Sequence, residues 1–540
     1  MHRGLGLLAF LILGPGAFGG TLQAQTGGWR TDDRVLITDF GIVTAMARSS
    51  GSVFVATTGG LVELDEAFRG SALPVTVEDG YPLLPPTAMA YDRRDRSVWL
   101  AAGVELYRYD PLSRRFRDRL GVGRAVSAIV PAEGFGSELF LRIGAEWWSF
   151  DTFSRDLRRA ERSDVLSAID ARADLRTRWE ALGDPFFRDG AEQAVRTMFG
   201  RPVRILDFVP SRTAYMWWLG TAGSFVVEYD GVGRVGGRGS FGPAGLGMAA
   251  VEATEEEVWL APEEPLEGRY GIAAATRDLQ AWRSWRADSS STVPELTRAL
   301  HRTPSGTWAG GASGLHWLGE ERPDWRQERS IDLSYQPVLA LAQASGPTAD
   351  AVWVGTIRGV LRVQAPGAGI DLAALPSVPV GSVVEADGAV WLGTERGLFA
   401  MLVPDSVGQP VEAGRVNGPV ALRSPVGALA AEADTIYVGV EREVWWKPGR
   451  ESDWVRMESI GRAQGLISAL EIREGVLWVG STGELTVVEV SRGVVGRYSF
   501  GRDLPPDARG RSGVLDIAVV SDTEAWVATP AGAVRLTVRH

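Results

Sequence analysis

The sequence predicts an all-β protein of the β-propeller type, built as two tandem propellers of four-stranded blades with one helical insertion. Three observations carry that expectation. A motif anchored on an aromatic residue recurs at a near-constant pitch, each copy reads as short strands joined by glycine turns, and only one interval between copies is much too long.

The motif is clearest at Val352-Trp353-Val354-Gly355-Thr356-Ile357-Arg358-Gly359-Val360-Leu361 and Val390-Trp391-Leu392-Gly393-Thr394-Glu395-Arg396-Gly397-Leu398-Phe399. Related copies begin at Val53-Phe54-Val55, Leu477-Trp478-Val479 and Ala525-Trp526-Val527. The full set of anchors is Phe54, Trp99, Phe140, Trp218, Trp259, Trp308, Trp353, Trp391, Tyr437, Trp478 and Trp526. Neighbouring anchors stand 38 to 49 residues apart except for one step of 78. Propeller blades run roughly 40–50 residues.

Each part of the motif has a physical reason. A Val-Trp-Val run suits a strand packed on both faces. The small residue two places after the aromatic lets another chain segment come close. A glycine five or six places after it sits where a hairpin needs positive φ. Upstream, Asp387-Gly388, Glu474-Gly475 and Ser305-Gly306 supply the preceding hairpin turn. A unit is therefore three strands and two turns, with a fourth strand before the next unit.

These units resemble the two-component-regulator propeller repeat, whose copies read V-W-x-G-T-x-x-G-L. The segment Glu78-Asp79-Gly80-Tyr81-Pro82, leading into Ala88-Met89-Ala90, is similar to that family's inter-blade E-D-G-L-P stretch, and Gln464-Gly465-Leu466-Ile467-Ser468-Ala469-Leu470 echoes it. The resemblance covers most of the chain and implies a propeller. It also implies a link to sensing, because such repeats often form the sensor half of bacterial membrane kinases. The chain ends inside its last repeat, so no kinase or DNA-binding region is expected on it, and a sensor role would need a kinase on a separate chain.

Propellers hold 4–8 blades, so eleven anchors call for two rings. Trp29-Arg30-Thr31-Asp32 and Asp324-Trp325-Arg326-Gln327 each read as a lone outer strand that closes its own ring. The expected division is a signal peptide at residues 1–24, a first propeller at 25–320 and a second at 321–540. The long step falls at residues 163–201, where the pattern turns helical. Val165, Ile169 and Ala173 recur four apart, Leu175, Trp179 and Leu182 continue the face, and Ser163 or Asp164 can cap it. Asp184-Pro185 ends this helix, and a second short one is expected over 191–199.

At the N-terminus, Arg3, an apolar stretch at residues 5–13 and Gly14-Pro15-Gly16 lead to Leu22-Gln23-Ala24 before Gln25, the pattern of a secretory signal. No later apolar run is long enough to span a membrane. The chain has no cysteine, so neither disulfides nor a lipoprotein anchor is expected. The mature chain is expected to be periplasmic or extracellular. A net charge of −11 argues against a nucleic-acid partner and does not favour an anionic membrane surface. Lys447 is the only lysine.

Catalytic signatures are scarce. Of four histidines, His2 lies in the signal and His540 ends the chain. His301 and His316 are read as packing or surface residues, since a base needs a positioned partner. No metal motif or nucleophile elbow is present, and no cofactor is expected. Gly231-Val232-Gly233-Arg234-Val235-Gly236 fits G-x-G-x-x-G, but it follows a strand and runs into more glycine, so it reads as a blade hairpin. Glu255-Glu256-Glu257 reads as a solvated turn, and Glu263, Glu264 and Glu267 make no stronger case. The tryptophan doublets Trp147-Trp148, Trp217-Trp218 and Trp445-Trp446 have neighbours on opposite strand faces, so at least one of each packs between blades.

The functional expectation is a secreted or periplasmic binding or scaffold protein for a protein or glycan partner. Trp179, Phe186, Phe187 and Arg188 of the insertion are the candidate partner surface. The alternative is a polysaccharide-active hydrolase or lyase that uses carboxylates on the same scaffold.

Overall fold

A computed structural model describes residues 33–538 apart from 161–193, 197–201 and the shorter stretches 66–70, 133–137, 212–215, 224, 230–234, 240, 244, 265–270, 287–292, 321–323, 329–335, 346–348, 367–369, 373–377, 404–412 and 450. The signal peptide, the Trp29–Asp32 segment and the first expected helix with Trp179, Phe186, Phe187 and Arg188 lie outside the described residues. Part of the expected second helix is described and is a strand: Ala194–Arg196 pairs antiparallel with Pro202–Pro210. Among the described residues the only helices are two short 3-10 turns, Val77–Asp79 and Val420–Arg423.

Among the described residues the strands form eleven sheets, and each anchor lies on the second strand of its blade except Trp218, which lies on the third of the five strands of blade 4. In chain order these are blade 1 (43–65), blade 2 (88–121), blade 3 (126–159), blade 4 (194–239), blade 5 (246–286), blade 6 (299–327), blade 7 (338–372), blade 8 (380–415), blade 9 (426–456), blade 10 (467–499) and blade 11 (516–537). Blade 1 has three strands, blade 4 has five and the rest have four. In blade 11 the fourth strand is Arg34–Ile37, from the other end of the chain.

The motif explains how a blade holds its shape. Trp99, Trp259, Trp308, Trp353, Trp478 and Trp526 are fully buried between neighbouring sheets. Truncating such a side chain typically costs about 3–5 kcal/mol. The expected hairpins are present: Asp387 and Gly388 have φ of 51° and 67°, and Glu474 and Gly475 have 53° and 75°, the twist-matched turn that favours Asx-Gly pairs. The threonine of the Gly-Thr pair has a task of its own. Thr356 and Thr394 each donate from the hydroxyl to the carbonyl of the turn glycine, Gly359 or Gly397, at 3.0 and 2.7 Å, and accept from the arginine N–H between, at 3.1 Å. Each buried hydroxyl thus closes the hairpin after its strand.

The glycine two places after the anchor sets how blades meet. A Cβ on Gly310 would lie 2.2 Å from Val338 of blade 7, and one on Gly480 would lie 2.4 Å from Val514, just before blade 11, and 3.2 Å from Ile517 within it. Each glycine admits the first strand of the following blade. The same relation holds for Gly220 of blade 4, but its neighbour is Val43 of blade 1, at 2.4 Å.

These contacts correct the expected division at residue 320. The inner strands of blades 5 to 11 touch in succession, and blade 11 returns to blade 5. Blade 4 touches blade 1, and blades 1, 2 and 3 follow side by side. Residues 161–193, between blades 3 and 4 in the chain, lie outside the described set. Blades 1–4 are therefore inserted between Arg34–Ile37, the first described strand, and blade 5, and the seven later blades close on that strand. Asp324-Trp325-Arg326-Gln327 closes no second ring either. Arg326–Gln327 is the outer strand of blade 6, and Trp325 packs edge-on to Trp259 and Trp285 of blade 5. Sequence pitch counts blades correctly, but ring membership depends on a pairing some 500 residues apart, which periodicity cannot encode.

The two sets of blades meet through aromatic rings. Phe40 sits 5.1 Å from Phe241, which also contacts Phe225 at 5.7 Å and Trp282 at 5.1 Å. Ser71 of the blade 1 segment bonds to Gln280 and Leu279 of blade 5.

Candidate functional site

The register of each blade shows which inner-strand residue lies opposite the anchor. In eight blades it is small and apolar: Ala47, Ala90, Val130, Val209, Ala342, Val384, Ala430 and Ala518. In blades 5, 6 and 10 it is Glu252, His301 and Glu471. Ring order brings these three together, because blade 10 is followed by blade 11, then blade 5, then blade 6. Blade 11 adds Asp516 from its own inner strand. The result is a titratable cluster on one side of the axis of the seven-blade ring.

Hydrogen bonds give two of these carboxylates a structural task. Glu252 accepts the Arg302 N–H at 3.1 Å, tying blade 5 to blade 6. Asp516 accepts the Val251 N–H at 3.0 Å and its neighbour Ile517 N–H at 3.0 Å, tying blade 11 to blade 5. The seam of the first set of blades is built the same way: Asp207 accepts from Met46 of blade 1 and from Phe208, at 2.7 and 2.8 Å. Leu206-Asp207-Phe208 and Leu515-Asp516-Ile517 thus mark the two seams. Glu471 differs, since among the described residues its carboxylate accepts no hydrogen bond. His301 lies between two blades, with Nε2 3.3 Å from Gln343 Oε1 and Nδ1 3.8 Å from Glu252 Oε1.

Desolvation dominates the electrostatics, although all four side chains are only half-buried and Glu252 keeps 24% of its side-chain surface exposed. It pushes Glu252 up to about 7 against the pull of the Arg302 N–H and guanidinium. It pushes Glu471 up to about 8, helped by Glu252 and Asp516 and opposed by Arg473. Asp516 rises to about 7 for the same reason, against its two backbone donors and with Glu252 adding to the rise. Burial lowers His301 below its ordinary value, so it is neutral at pH 7. Carboxyls raised toward neutrality equip the cluster to donate as well as accept hydrogen bonds.

This arrangement predicts a pH dependence of stability. An unfolded chain releases carboxylate protons near pH 4, whereas the folded cluster holds them up to pH 7–8. Between those limits the native state binds more protons, so stability falls as pH rises through the window. The depressed His301 acts in the opposite sense, removing stability as pH falls below about 6.5. We expect stability at pH 6 to exceed that at pH 9 by about 3–5 kcal/mol, the equivalent of roughly two to four pKa units summed over the three carboxylates and discounted for their partial exposure, in urea titrations. Glu471→Gln should remove a large part of the difference, and a flat profile in the unmodified protein would contradict the burial of these groups.

The remaining candidates are structural. His316 is buried, its pKa lowered to about 4 by desolvation. Glu255 and Glu256 are exposed, and Glu257 pairs with Arg283 at 2.5 Å. Glu263 and Glu264 pair with Arg511 and Arg509, clamping the loop before blade 11 onto blade 5. Trp147 and Trp148 pack on opposite cores, as do Trp445 and Trp446. A shallow groove lined by Glu256, Arg277, Asp278, Gln280 and Arg535 lies at the join of blades 5 and 11 and is bridged by the Arg277–Glu524 ion pair at 2.9 Å. Among the described residues no group of three His, Asp or Glu side chains is placed to hold a metal ion, and no helix is long and apolar enough to cross a membrane.

Among solved structures the chain is similar to PorZ, described as an essential bacterial surface component of the type-IX secretion system of Porphyromonas gingivalis. The TM-score is 0.54 at 9% identity, over 94% of this chain and 87% of that one. The protein is a β-propeller. The extracellular domain of a putative one-component system from B. thetaiotaomicron aligns at a TM-score of 0.36 and 14% identity, over 93% of this chain and 76% of that one. The WD40 propeller domain of Doa1 aligns at 0.42 and 12%, over 55% and 93%. No protein-family model and no curated protein matches the chain.

Proposed function

We propose that the protein is an exported binding or scaffold propeller, carried across the inner membrane by residues 1–24, that recognises a protein or glycan partner outside the cytoplasm. One observation carries the reading: the position opposite the anchor is Ala or Val in eight blades and becomes Glu252, His301 and Glu471 in blades that ring order brings together. Packing alone favours the small apolar residue, and placing carboxylates there costs desolvation energy. Glu471 lacks even the inter-blade hydrogen bond that accounts for Glu252, which leaves recognition of a hydrogen-bonding ligand as its role. The repeat motifs support kinship with the two-component-regulator propellers, and through it a part in extracytoplasmic sensing.

The test is capture on immobilised protein spanning residues 25–540, in parallel with a Glu471→Ala variant. An envelope protein or glycan held by the first and reduced at least about tenfold on the second, a loss of roughly 1.4 kcal/mol, supports the reading. Equal retention would remove the cluster as the recognition site. A second reading rests on the same raised carboxylates, since perturbed pKa values cluster at catalytic sites. Turnover of a retained polysaccharide, abolished by Glu471→Gln, would establish it instead.

A further inference from the structure

One edge of blades 2 and 3 departs from the acidic character of the rest of the chain. Two hairpin turns of the same design stand side by side there, Asp110-Pro111-Leu112-Ser113-Arg114 and Asp151-Thr152-Phe153-Ser154-Arg155. In each, the aspartate Oδ1 accepts the N–H of the apolar residue two places on, at 3.0 Å for Leu112 and 2.8 Å for Phe153. The turn is thereby fixed and the apolar side chain is held outward: Leu112 is 95% and Phe153 86% exposed.

The surroundings are cationic. The turn between the first two strands of blade 2 carries Arg93, Arg94 and Arg96, all exposed, and Arg115 stands exposed beside Leu112's turn. None of the four has an ion-pair partner among the described residues. Hydrogen bonds hold the turns together as one surface. Thr152 donates to Asp92 at 3.2 Å, joining the Phe153 turn to the arginine turn, and Arg155 bonds to Asp118 of blade 2 at 2.7 Å.

We propose that this edge attaches the protein to an anionic phospholipid surface, with Leu112 and Phe153 entering the acyl boundary and Arg93, Arg94, Arg96 and Arg115 pairing with phosphates. Separate protruding apolar tips ringed by unpaired cations fit a fluid interface. A protein partner would call for a continuous patch or groove around them. The net charge of −11 is a property of the whole chain, and a local cationic edge acts within a Debye length whatever the total.

Co-sedimentation of residues 25–540 with vesicles tests the proposal. Binding is expected to phosphatidylcholine vesicles containing about 30% phosphatidylglycerol, to fall steeply with added salt, and to be absent with phosphatidylcholine alone. Leu112→Asp with Phe153→Asp, and separately Arg93→Glu with Arg94→Glu, should each weaken partitioning by at least about tenfold. These side chains contact no core, so unchanged circular dichroism and urea midpoints are expected in both variants. No binding to the anionic vesicles at low salt, or variants that bind as well as the unmodified protein, would overturn the proposal. So would an acidic envelope protein that binds this edge, lost with the arginine variant, while the vesicles do not.

Discussion

An aspartate in place of Ile37 is expected to leave the protein unfolded at room temperature. Ile37 is fully buried and pairs with Ala533 at the end of the four-residue strand that completes blade 11. Val35 and Ile37 join the core shared with blade 5, and Leu36 on the other face joins the core shared with blade 10. The strand therefore seals two inter-blade interfaces at once. A carboxylate at position 37 would be buried without a partner, a change that typically costs more than about 4 kcal/mol. It would also detach the strand that closes the ring, and total domain stability is only about 5–15 kcal/mol. Far-UV circular dichroism and urea titration of Ile37→Asp should show loss of the cooperative transition. A transition displaced by less than about 1 kcal/mol would mean that the ring does not depend on this closure.

The blades were legible in the sequence because their information is local. A tryptophan that packs on both sheet faces, a glycine that admits the next blade and a turn glycine lie within ten residues of one another, so each copy announces itself. Eleven anchors correspond to eleven sheets. Ring order was not legible, because Arg34-Val35-Leu36-Ile37 is an ordinary apolar strand and nothing in it names Gly532–Thr537 as its partner. The seams left a trace in the Leu-Asp pairs at 206–207 and 515–516, but an aspartate in an apolar strand has many explanations until its acceptor role is seen. The titratable cluster was nearer to view. Glu252, His301 and Glu471 each stand seven residues before their anchor, where blades 1, 8 and 9 have Ala47, Val384 and Ala430. A search for polar departures at that spacing finds all three together with Asp92, Glu133 and Ser211, and it does not find their proximity, which again depends on ring order. His301 was read as a packing or surface residue because no positioned partner was visible, and that reading missed its neighbours Glu252 and Gln343 on the flanking blades.

Removing blades 1–4 should leave a folded ring, whereas cutting at residue 320 should not. The inserted blades leave and rejoin the chain at one place: a Cβ on Gly242 would lie 2.8 Å from the Phe40 ring and 3.0 Å from the Thr38 carbonyl. A short Gly-Ser link from residue 40 to residue 242 can therefore replace residues 41–241 without moving either end. The deletion exposes Phe40 and Trp282, which lose Phe241, and removes the Ser71 bonds to Gln280 and Leu279, a cost of at least about 2–3 kcal/mol at the usual value per buried aromatic surface. Every contact that closes blades 5 to 11 remains. The fragment 321–540 loses far more. Val338 gives up its seat against Gly310, Val251 no longer donates to Asp516, and both end blades expose faces that are otherwise core. The shortened ring is expected to unfold in one cooperative step and to keep the decline in stability from pH 6 to pH 9, because Glu252, His301, Glu471 and Asp516 all lie within it. The 321–540 fragment is expected to aggregate or remain unfolded. The opposite pair of results would restore two tandem rings divided near residue 320 and would separate Glu252 and His301 from Glu471 and Asp516, so one experiment decides both the ring order and the existence of the cluster.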